Sequence, residues 1–236
     1  MSQSICQLID HALLHPTMTD AELVAGCELA DRLQVATVCV KPYAVHLAAQ
    51  TLRDSQVGVG TVIGFPHGSQ ASAVKAAEAN RALMDGATEL DMVVNVGKVL
   101  QGDWDFVRED IQSVVEVGHA KNAIVKVIFE TDYVTADDMK IRLCEISEEA
   151  GADYVKTSTG FGFVKQSSGD LNYVGATESD VKLMRQTCSD KVGVKASGGI
   201  RSYEDALKFK ELGCARLGTS ASEAIASGEG SDAESY

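Results

Sequence analysis

Residues 153–160 read DYVKTSTG, and their pattern gives the strongest indication of the fold. The stretch follows a helix-like run that ends at Gly151, and after Lys156 it changes from apolar and aromatic residues to hydroxyl residues and a glycine. A glycine between a helical run and a strand is typical of a left-handed helix cap that leads into a short turn. The stretch therefore predicts a half-buried strand, and its polar end marks the start of the next connection.

The same alternation of a short strand with an amphipathic helix recurs along the chain. We predict strands at residues 8–13, 36–40, 58–63, 89–95, 124–129, 154–158, 192–196 and 215–217. Helix starts are predicted where a hydroxyl residue precedes an acidic residue by three positions, at Thr19, Thr135, Thr177 and Ser202. Helix ends are predicted at Gly86, Gly151 and Gly213.

Strict strand–helix alternation implies parallel strands, and eight such units in 236 residues fit a closed (β/α)8 TIM barrel, an α/β fold. The alternative is an open doubly wound sheet. That fold would need a glycine-rich phosphate turn after the first strand, whereas residues 11–16, HALLHP, contain no glycine. We therefore predict one catalytic barrel domain, residues 1–227, and a flexible acidic tail, residues 228–236.

Composition limits the classes of partner. A formal net charge of -13 argues against nucleic acid and against an anionic membrane surface, because both require a basic face. The six cysteines are spread widely without a Cys-x-x-Cys pair, which predicts reduced thiols in a cytoplasmic protein. His11 and His15 are four residues apart, but Pro16 makes a helical metal site improbable, so no metal is expected.

Charged residues inside predicted strands are the candidates for catalysis. Lys156 and Lys195 each end an apolar run, and a lysine on a half-buried strand must find a counter-charge or lose its proton. An unprotonated amine is a nucleophile toward carbonyls, and two neighbouring lysines lower each other's pKa. A buried structural ion pair is the alternative for each residue taken alone. The further strand-embedded charges are Asp10, Asp91 and Lys126.

Small residues follow the last two predicted strands, where barrels usually hold phosphate groups. They are Gly198 and Gly199 in one loop and Gly218, Thr219 and Ser220 in the other. Ordinary tight turns are the alternative for either loop alone. Their occurrence in both loops favours a phosphate site, which fits a small anionic ligand.

Four motifs resemble those of the 2-deoxyribose-5-phosphate aldolases, the DeoC-type class I aldolases. They are residues 64–68 (GFPHG), 89–97 (ELDMVVNVG), 153–161 (DYVKTSTGF) and 193–201 (GVKASGGIR). The resemblance covers nearly the whole chain in order. It implies a barrel that reversibly cleaves 2-deoxy-D-ribose 5-phosphate to acetaldehyde and D-glyceraldehyde 3-phosphate, without a metal or an organic cofactor.

The resemblance also implies roles for individual residues. Lys156 would form the Schiff base, Asp91 would donate and accept protons, and Lys195 would be the second lysine of the relay. The substrate-binding candidates are Asp10, Thr157, Thr159, Gly160, Gly198, Gly199, Gly218, Thr219 and Ser220. Some members carry a phosphate-binding lysine where this chain has Phe161, so Lys165 or Arg201 would assist the loop amides instead.

The terminal residue Tyr236 resembles the tail tyrosine of some deoxyribose-phosphate aldolases, which implies a transient role in proton exchange. Two other readings stay open. One keeps the barrel and the Schiff base but uses a ketone donor, as in a transaldolase or keto-acid aldolase. The other is a sugar-phosphate-binding protein without activity. The oligomeric state is also open, and a homodimer is one option.

Overall fold

A closed barrel of parallel strands forms the centre of the molecule in a computed structural model that describes residues 4–165 and 169–233. In chain order the strands are β1 (Ile9–Leu13), β2 (Thr37–Val40), β3 (Gly58–Ile63), β4 (Glu89–Val93), β5 (Ile124–Ile128), β6 (Tyr154–Lys156), β7 (Val164–Lys165), β8 (Leu171–Asn172), β9 (Gly193–Ser197) and β10 (Arg216–Thr219). β7 and β8 form a separate antiparallel pair, and the barrel closes through β1 and β10. The (β/α)8 prediction is confirmed.

Helices follow the barrel strands in each unit. They are α1 (Asp20–Leu33), α2 (Val45–Thr51), α3 (Ser72–Met84), α4 (Val96–Gln101), α5 (Trp104–His119), α6 (Asp137–Glu149), α7 (Glu178–Thr187), α8 (Tyr203–Glu211) and α9 (Ser222–Ala233). The connection after β4 holds both α4 and α5. Among the described residues, no helix is long and apolar enough to cross a membrane.

Most predicted helix caps are confirmed. Thr19 and Ser202 form reciprocal capping boxes at α1 and α8, and the Thr177 hydroxyl accepts a hydrogen bond from Asp180 N at the start of α7. The Thr135 prediction is wrong, because α6 has Ala136 at its cap position without a side-chain hydrogen bond. Thr135 lies one position too early to reach the orphan amides of the first turn.

Strand alternation separates an apolar outer layer from a charged interior. Leu90 and Val125 face Gly118 of α5, and a Cβ atom on that glycine would come within 2.5 Å of Val125. The residue following each of these two, Asp91 and Lys126, therefore points to the opposite face, into the barrel. The two are register partners on β4 and β5, and both are buried.

The predicted glycine caps are present, whereas the last helix extends into the predicted tail. Gly86, Gly151 and Gly213 have φ values of 110°, 85° and 91°, which confirms left-handed caps that favour glycine. Helix α9 continues to Ala233, so it includes the first part of the segment 228–236 that we expected to be a tail. Tyr236 lies outside the described residues.

Candidate active site

A cavity of about 420 Å³ opens at the carboxyl ends of the barrel strands. Asp10, Lys156 and Lys195 contribute to its lining from β1, β6 and β9. The loops after β9 and β10 and aromatic residues of the β6–α7 connection complete the wall. This is the end of the barrel where enzymes of this fold carry their reacting groups.

Asp91 contacts both predicted catalytic lysines, Lys156 at the end of β6 and Lys195 in the middle of β9. Its Oδ2 atom accepts hydrogen bonds from Lys156 Nζ at 2.8 Å and from Lys195 Nζ at 2.7 Å. Lys156 and Lys195 are also register partners on adjacent strands, β6 and β9. Asp91 itself is fully buried and is absent from the cavity lining, so its carboxylate lies beneath the two amines.

A second layer of charges lies beside Asp91. Lys126 Nζ is 2.8 Å from Asp91 Oδ1, 2.6 Å from Glu89 Oε2 and 3.1 Å from Asp10 Oδ2. Arg216 contacts both Asp10 and Glu89 through separate guanidinium nitrogens. Asp10 also pairs with Lys195 and accepts a hydrogen bond of 2.8 Å from the Thr37 hydroxyl.

The network holds more cations than carboxylates. The carboxylates are Asp10, Glu89 and Asp91, and the cationic side chains are Lys126, Lys156, Lys195 and Arg216. Full ionisation would leave one uncompensated positive charge in a buried space, which is costly. The network therefore favours one neutral amine.

The pKa directions identify that amine. Burial lowers the pKa of Lys156, Asp91 opposes the change, and Lys195 lowers the pKa further, so that the net shift is downward. Burial also acts on Lys195, but Asp10 and Asp91 outweigh it and raise the pKa of Lys195. The pKa of Lys126 is likewise raised, well above its usual range, because three carboxylates outweigh burial. Lys156 is thus the amine of the network that gives up its proton first.

Thr159 and Gly160 line the cavity, whereas Thr157 does not. The Thr157 hydroxyl donates to the Ser197 carbonyl oxygen and accepts from Ser197 N, both at 3.0 Å, so it joins β6 to β9. Thr159 donates its hydroxyl to Glu130. The structure therefore does not bring Thr157 into the group of substrate-binding candidates.

Residues of both predicted phosphate loops line the cavity, but Gly218 and Thr219 belong to the end of β10, which is longer than the predicted strand 215–217. Gly198 and Gly199 adopt left-handed φ values of 92° and 81°, a region that only glycine adopts readily. Gly218 also lines the cavity, and a Cβ atom there would come within 3.2 Å of Lys195 Cε. Glycine at this position leaves room for the lysine stem.

Thr219, Ser220 and Arg201 line the same wall, whereas the exposed Lys165 does not. The Thr219 hydroxyl donates to the Ile200 carbonyl oxygen at 2.7 Å and accepts from Ala221 N at 2.9 Å. Thr219 therefore shapes the loop, and the exposed Ser220 is left to face a ligand. Of the two cationic residues predicted to assist phosphate binding, Arg201 is therefore the one that lies at this wall.

Several other residues behave as ordinary core groups. Burial raises the pKa of the Cys39 thiol, which disfavours a reactive thiolate although Cys39 lines the cavity. His11 is buried against the Ser222 hydroxyl at 2.8 Å, and burial lowers its pKa to about 4. Among residues 4–165 and 169–233, no cluster of three or more histidine, cysteine or acidic side chains is arranged to hold a metal ion.

Sequence reasoning missed Glu89, Arg216 and Glu130. Alternation along β4 places Glu89 on the face of Asp91, and alternation along β10 places Arg216 on the face of Gly218, so the two-residue period could have found both. Glu130 follows β5 in a loop with φ of 55°, and the chain pattern gives no signal for it. Burial raises the pKa of Glu130 to about 7.

A barrel with a buried lysine of lowered pKa at the carboxyl ends of its strands has the geometry of a Schiff-base aldolase. The comparisons with known proteins agree. Residues 4–219 match the model of the DeoC/LacD family aldolases, and the chain belongs to this family. It is therefore a lyase.

Relatives of this chain carry a consistent name. The deoxyribose-phosphate aldolase of Carboxydothermus hydrogenoformans is 49% identical over 229 residues, which cover 96% of each chain. That of Thermococcus gammatolerans is 47% identical over 230 residues, or 97% of each chain. A solved structure of a tetrameric deoxyribose phosphate aldolase from Aeropyrum pernix superposes with a TM-score of 0.84 at 29% identity, and the match covers 94% of this chain and 89% of that one.

Proposed function

We propose that this chain is a class I aldolase that reversibly cleaves 2-deoxy-D-ribose 5-phosphate to D-glyceraldehyde 3-phosphate and acetaldehyde. The observation that carries the proposal is the position of Lys156 at the cavity, where its amine and that of Lys195 contact Asp91 Oδ2 at 2.8 and 2.7 Å. Burial and Lys195 lower the pKa of Lys156 there. The names of the relatives support the choice of substrate.

Lys156 is the Schiff-base residue in this proposal. Its neutral amine adds to the C1 aldehyde of the open-chain sugar and forms a carbinolamine, which loses water to give an iminium. The iminium accepts the electron pair of the C2–C3 bond when that bond breaks. D-Glyceraldehyde 3-phosphate leaves, and an enamine of acetaldehyde remains on Lys156.

Protons move through the lysine–Asp91 group. A base removes the C3 hydroxyl proton as the bond breaks, and an acid returns a proton to C2 of the enamine before water releases acetaldehyde. Asp91 lies beneath the cavity and accepts hydrogen bonds from both amines through one oxygen. Asp91 therefore moves these protons, while Lys195, which lines the cavity and shares that oxygen, lowers the pKa of Lys156.

The phosphate end of the substrate is placed against the loops after β9 and β10. Gly198 and Gly199 in the loop after β9 and Ser220 after β10 line the cavity there, and Arg201 supplies a positive charge. Asp10 is paired with Lys195 and Arg216, so its role is to hold Lys195 charged beside Lys156.

Reductive trapping tests the proposal. Borohydride with acetaldehyde should leave an ethyl group on Lys156, which peptide mass mapping would locate, and the exposed Lys182 serves as the internal control for unspecific modification. Trapping with acetone rather than acetaldehyde would favour a ketone donor. If neither adduct forms and the protein still binds sugar phosphate, a binding protein without activity is favoured.

The cellular compartment and the oligomeric state of the enzyme are part of the same proposal. All six cysteines are free and buried, which supports a reducing compartment and hence the cytoplasm. A homodimer is the proposed minimal assembly, supported only by the tetrameric relative. Light scattering on the purified chain would test it, and a monomer across micromolar concentrations would contradict it.

A further inference from the structure

The connection between β6 and α7 supplies the aromatic part of the cavity wall. It spans residues 157–177, of which 166–168 lie outside the description. Phe161, Phe163 and Tyr173 from this connection line the cavity, and Phe163 meets Tyr173 edge to face at 5.6 Å. The position of this connection therefore sets the shape of one side of the cavity.

Residues 130–133, which follow β5, hold the near end of that connection. Thr131 N donates to the Thr157 carbonyl oxygen at 3.1 Å, and the Thr131 and Ser158 hydroxyls lie 2.9 Å apart. Glu130 accepts hydrogen bonds from both the hydroxyl and the backbone N–H of Thr159. We call residues 130–133 the clamp.

The clamp also holds the far end of the connection. Asp132 Oδ1 accepts from Val174 N at 2.5 Å, and the Asp132 carboxylate accepts from Gly175 N at 3.2 and 3.1 Å through its two oxygens. The Tyr133 hydroxyl donates to the Phe163 carbonyl oxygen at 3.2 Å. Every clamp residue thus bonds to the connection, and Asp132 and Tyr133 bond on either side of the β7–β8 pair.

Gly175 connects the clamp to a predicted phosphate loop. Ala176 N donates to the Gly198 carbonyl oxygen at 3.1 Å, and a Cβ atom on Gly175 would come within 2.6 Å of the Gly198 carbonyl carbon. The two backbones touch, so a shift of Gly175 must move Gly198. Asp132 therefore acts on the aromatic wall through Val174 and on the phosphate loop through Gly175.

The backbone and the packing of the clamp mark it as a specialised segment. Glu130 has a φ of 55°, which is uncommon for a residue other than glycine. Its buried Oε1 atom has no hydrogen-bond partner among the described residues, and a Cβ atom on Gly162 would lie 2.8 Å from it. The carboxyl group thus packs directly against the connection at Gly162.

We infer that the clamp is a set of positioning residues that adapts the cavity to the phosphorylated three-carbon half of the substrate, while the Schiff-base chemistry proceeds without it. This inference rests on the proposed function. None of the described clamp side chains bonds to Lys156, Lys195 or Asp91. The clamp acts through the wall that faces the substrate.

Asp132→Ala tests the inference. It removes the acceptor for Val174 and Gly175, so KM for 2-deoxyribose 5-phosphate should rise about tenfold, the size expected for lost hydrogen bonds to a carboxylate. Its kcat should change less than about twofold. The rate at which acetaldehyde methyl protons exchange in deuterated water should stay at the wild-type value, because that reaction uses only the enamine half.

Matched variants separate positioning from general damage. Asp138→Ala removes an exposed carboxylate at the start of α6 and should leave both reactions unchanged. Asp132→Asn keeps one acceptor oxygen, so its KM should lie between those of the wild type and Asp132→Ala. Tyr133→Phe removes one neutral hydrogen bond and should raise KM by less than Asp132→Ala does.

Two outcomes would overturn the inference: an unchanged KM in Asp132→Ala, or an equal loss in acetaldehyde exchange. Failure of the proposed function shows itself differently, since wild-type protein would then neither cleave the sugar phosphate nor exchange acetaldehyde protons.

Discussion

Lys126 and Lys156 lie in the same barrel interior and contact the same carboxylate, yet the pKa of Lys126 is raised and that of Lys156 is lowered. Their exposed fractions are 1% and 3%, so burial is nearly equal. Lys126 contacts three carboxylates, from Asp10, Glu89 and Asp91. Among the carboxylates of the described residues, Lys156 contacts only Asp91, whose Oδ2 atom it shares with Lys195.

The difference shows that burial alone does not make a reactive amine. Desolvation lowers the pKa of both lysines, but in Lys126 the carboxylates outweigh it and in Lys156 they do not. The lower layer around Lys126 is thus a charge-balanced structural network. The upper layer, at the cavity floor, holds Lys156, whose pKa is lowered because its counter-charges do not outweigh burial.

The largest expected effect follows from removing the reactive amine. Lys156→Ala should lower kcat/KM for cleavage by roughly 10⁴-fold or more, because the covalent intermediate can no longer form. Steady-state kinetics and borohydride trapping measure it, with the exposed Lys182→Ala as control. A reducible acetaldehyde adduct on another lysine would show that the charge comparison selects the wrong residue.

Asp91→Asn removes the carboxylate that both layers share. We expect kcat to fall by about 10² to 10⁴-fold, with a much smaller change in KM, because the amide keeps the shape and loses the basicity. Asp91 raises the pKa of Lys156, so the acidic limb of the pH–rate profile should also move to lower pH. Equal changes in kcat and KM would instead point to a purely structural carboxylate.

Lys126→Met tests the structural layer. Three buried carboxylates would lose a cation, so the free energy of unfolding should fall by about 3–5 kcal/mol. Urea unfolding measures the change, and Lys182→Met at the surface should leave stability unaltered. The folded variant should still trap acetaldehyde at Lys156. A stability loss under about 1 kcal/mol would remove the contrast between the layers.

Lys195→Leu should have the smallest effect on activity. It should move the pH–rate profile in the opposite direction from Asp91→Asn. A cation lowers the pKa of a neighbouring amine, so its removal raises the pKa of Lys156. The acidic limb of the kcat/KM profile should therefore move to higher pH, and the rate on that limb should fall. An unchanged profile would mean that Lys195 acts as a direct proton carrier or phosphate ligand.

Much of the fold was predictable because its signals are local. The two-residue period of the strands, the hydroxyl caps at Thr19, Thr177 and Ser202, and the glycine caps each depend on a few neighbouring residues. The β7–β8 pair was not predicted, since strands of two residues are too short to show a period. Thr135 failed because the start of α6 depends on packing as well as on the cap pattern.

Alternation and chain order suffice to predict the barrel and to place Lys156, Lys195 and Asp91 on its strands. Which of the two lysines has the lowered pKa depends on the tertiary structure. That outcome depends on carboxylates brought close by barrel closure, such as Asp10, which pairs with Lys195 across 185 positions of the chain. Electrostatic energy follows distance in space and local dielectric, and neither can be read from residue spacing.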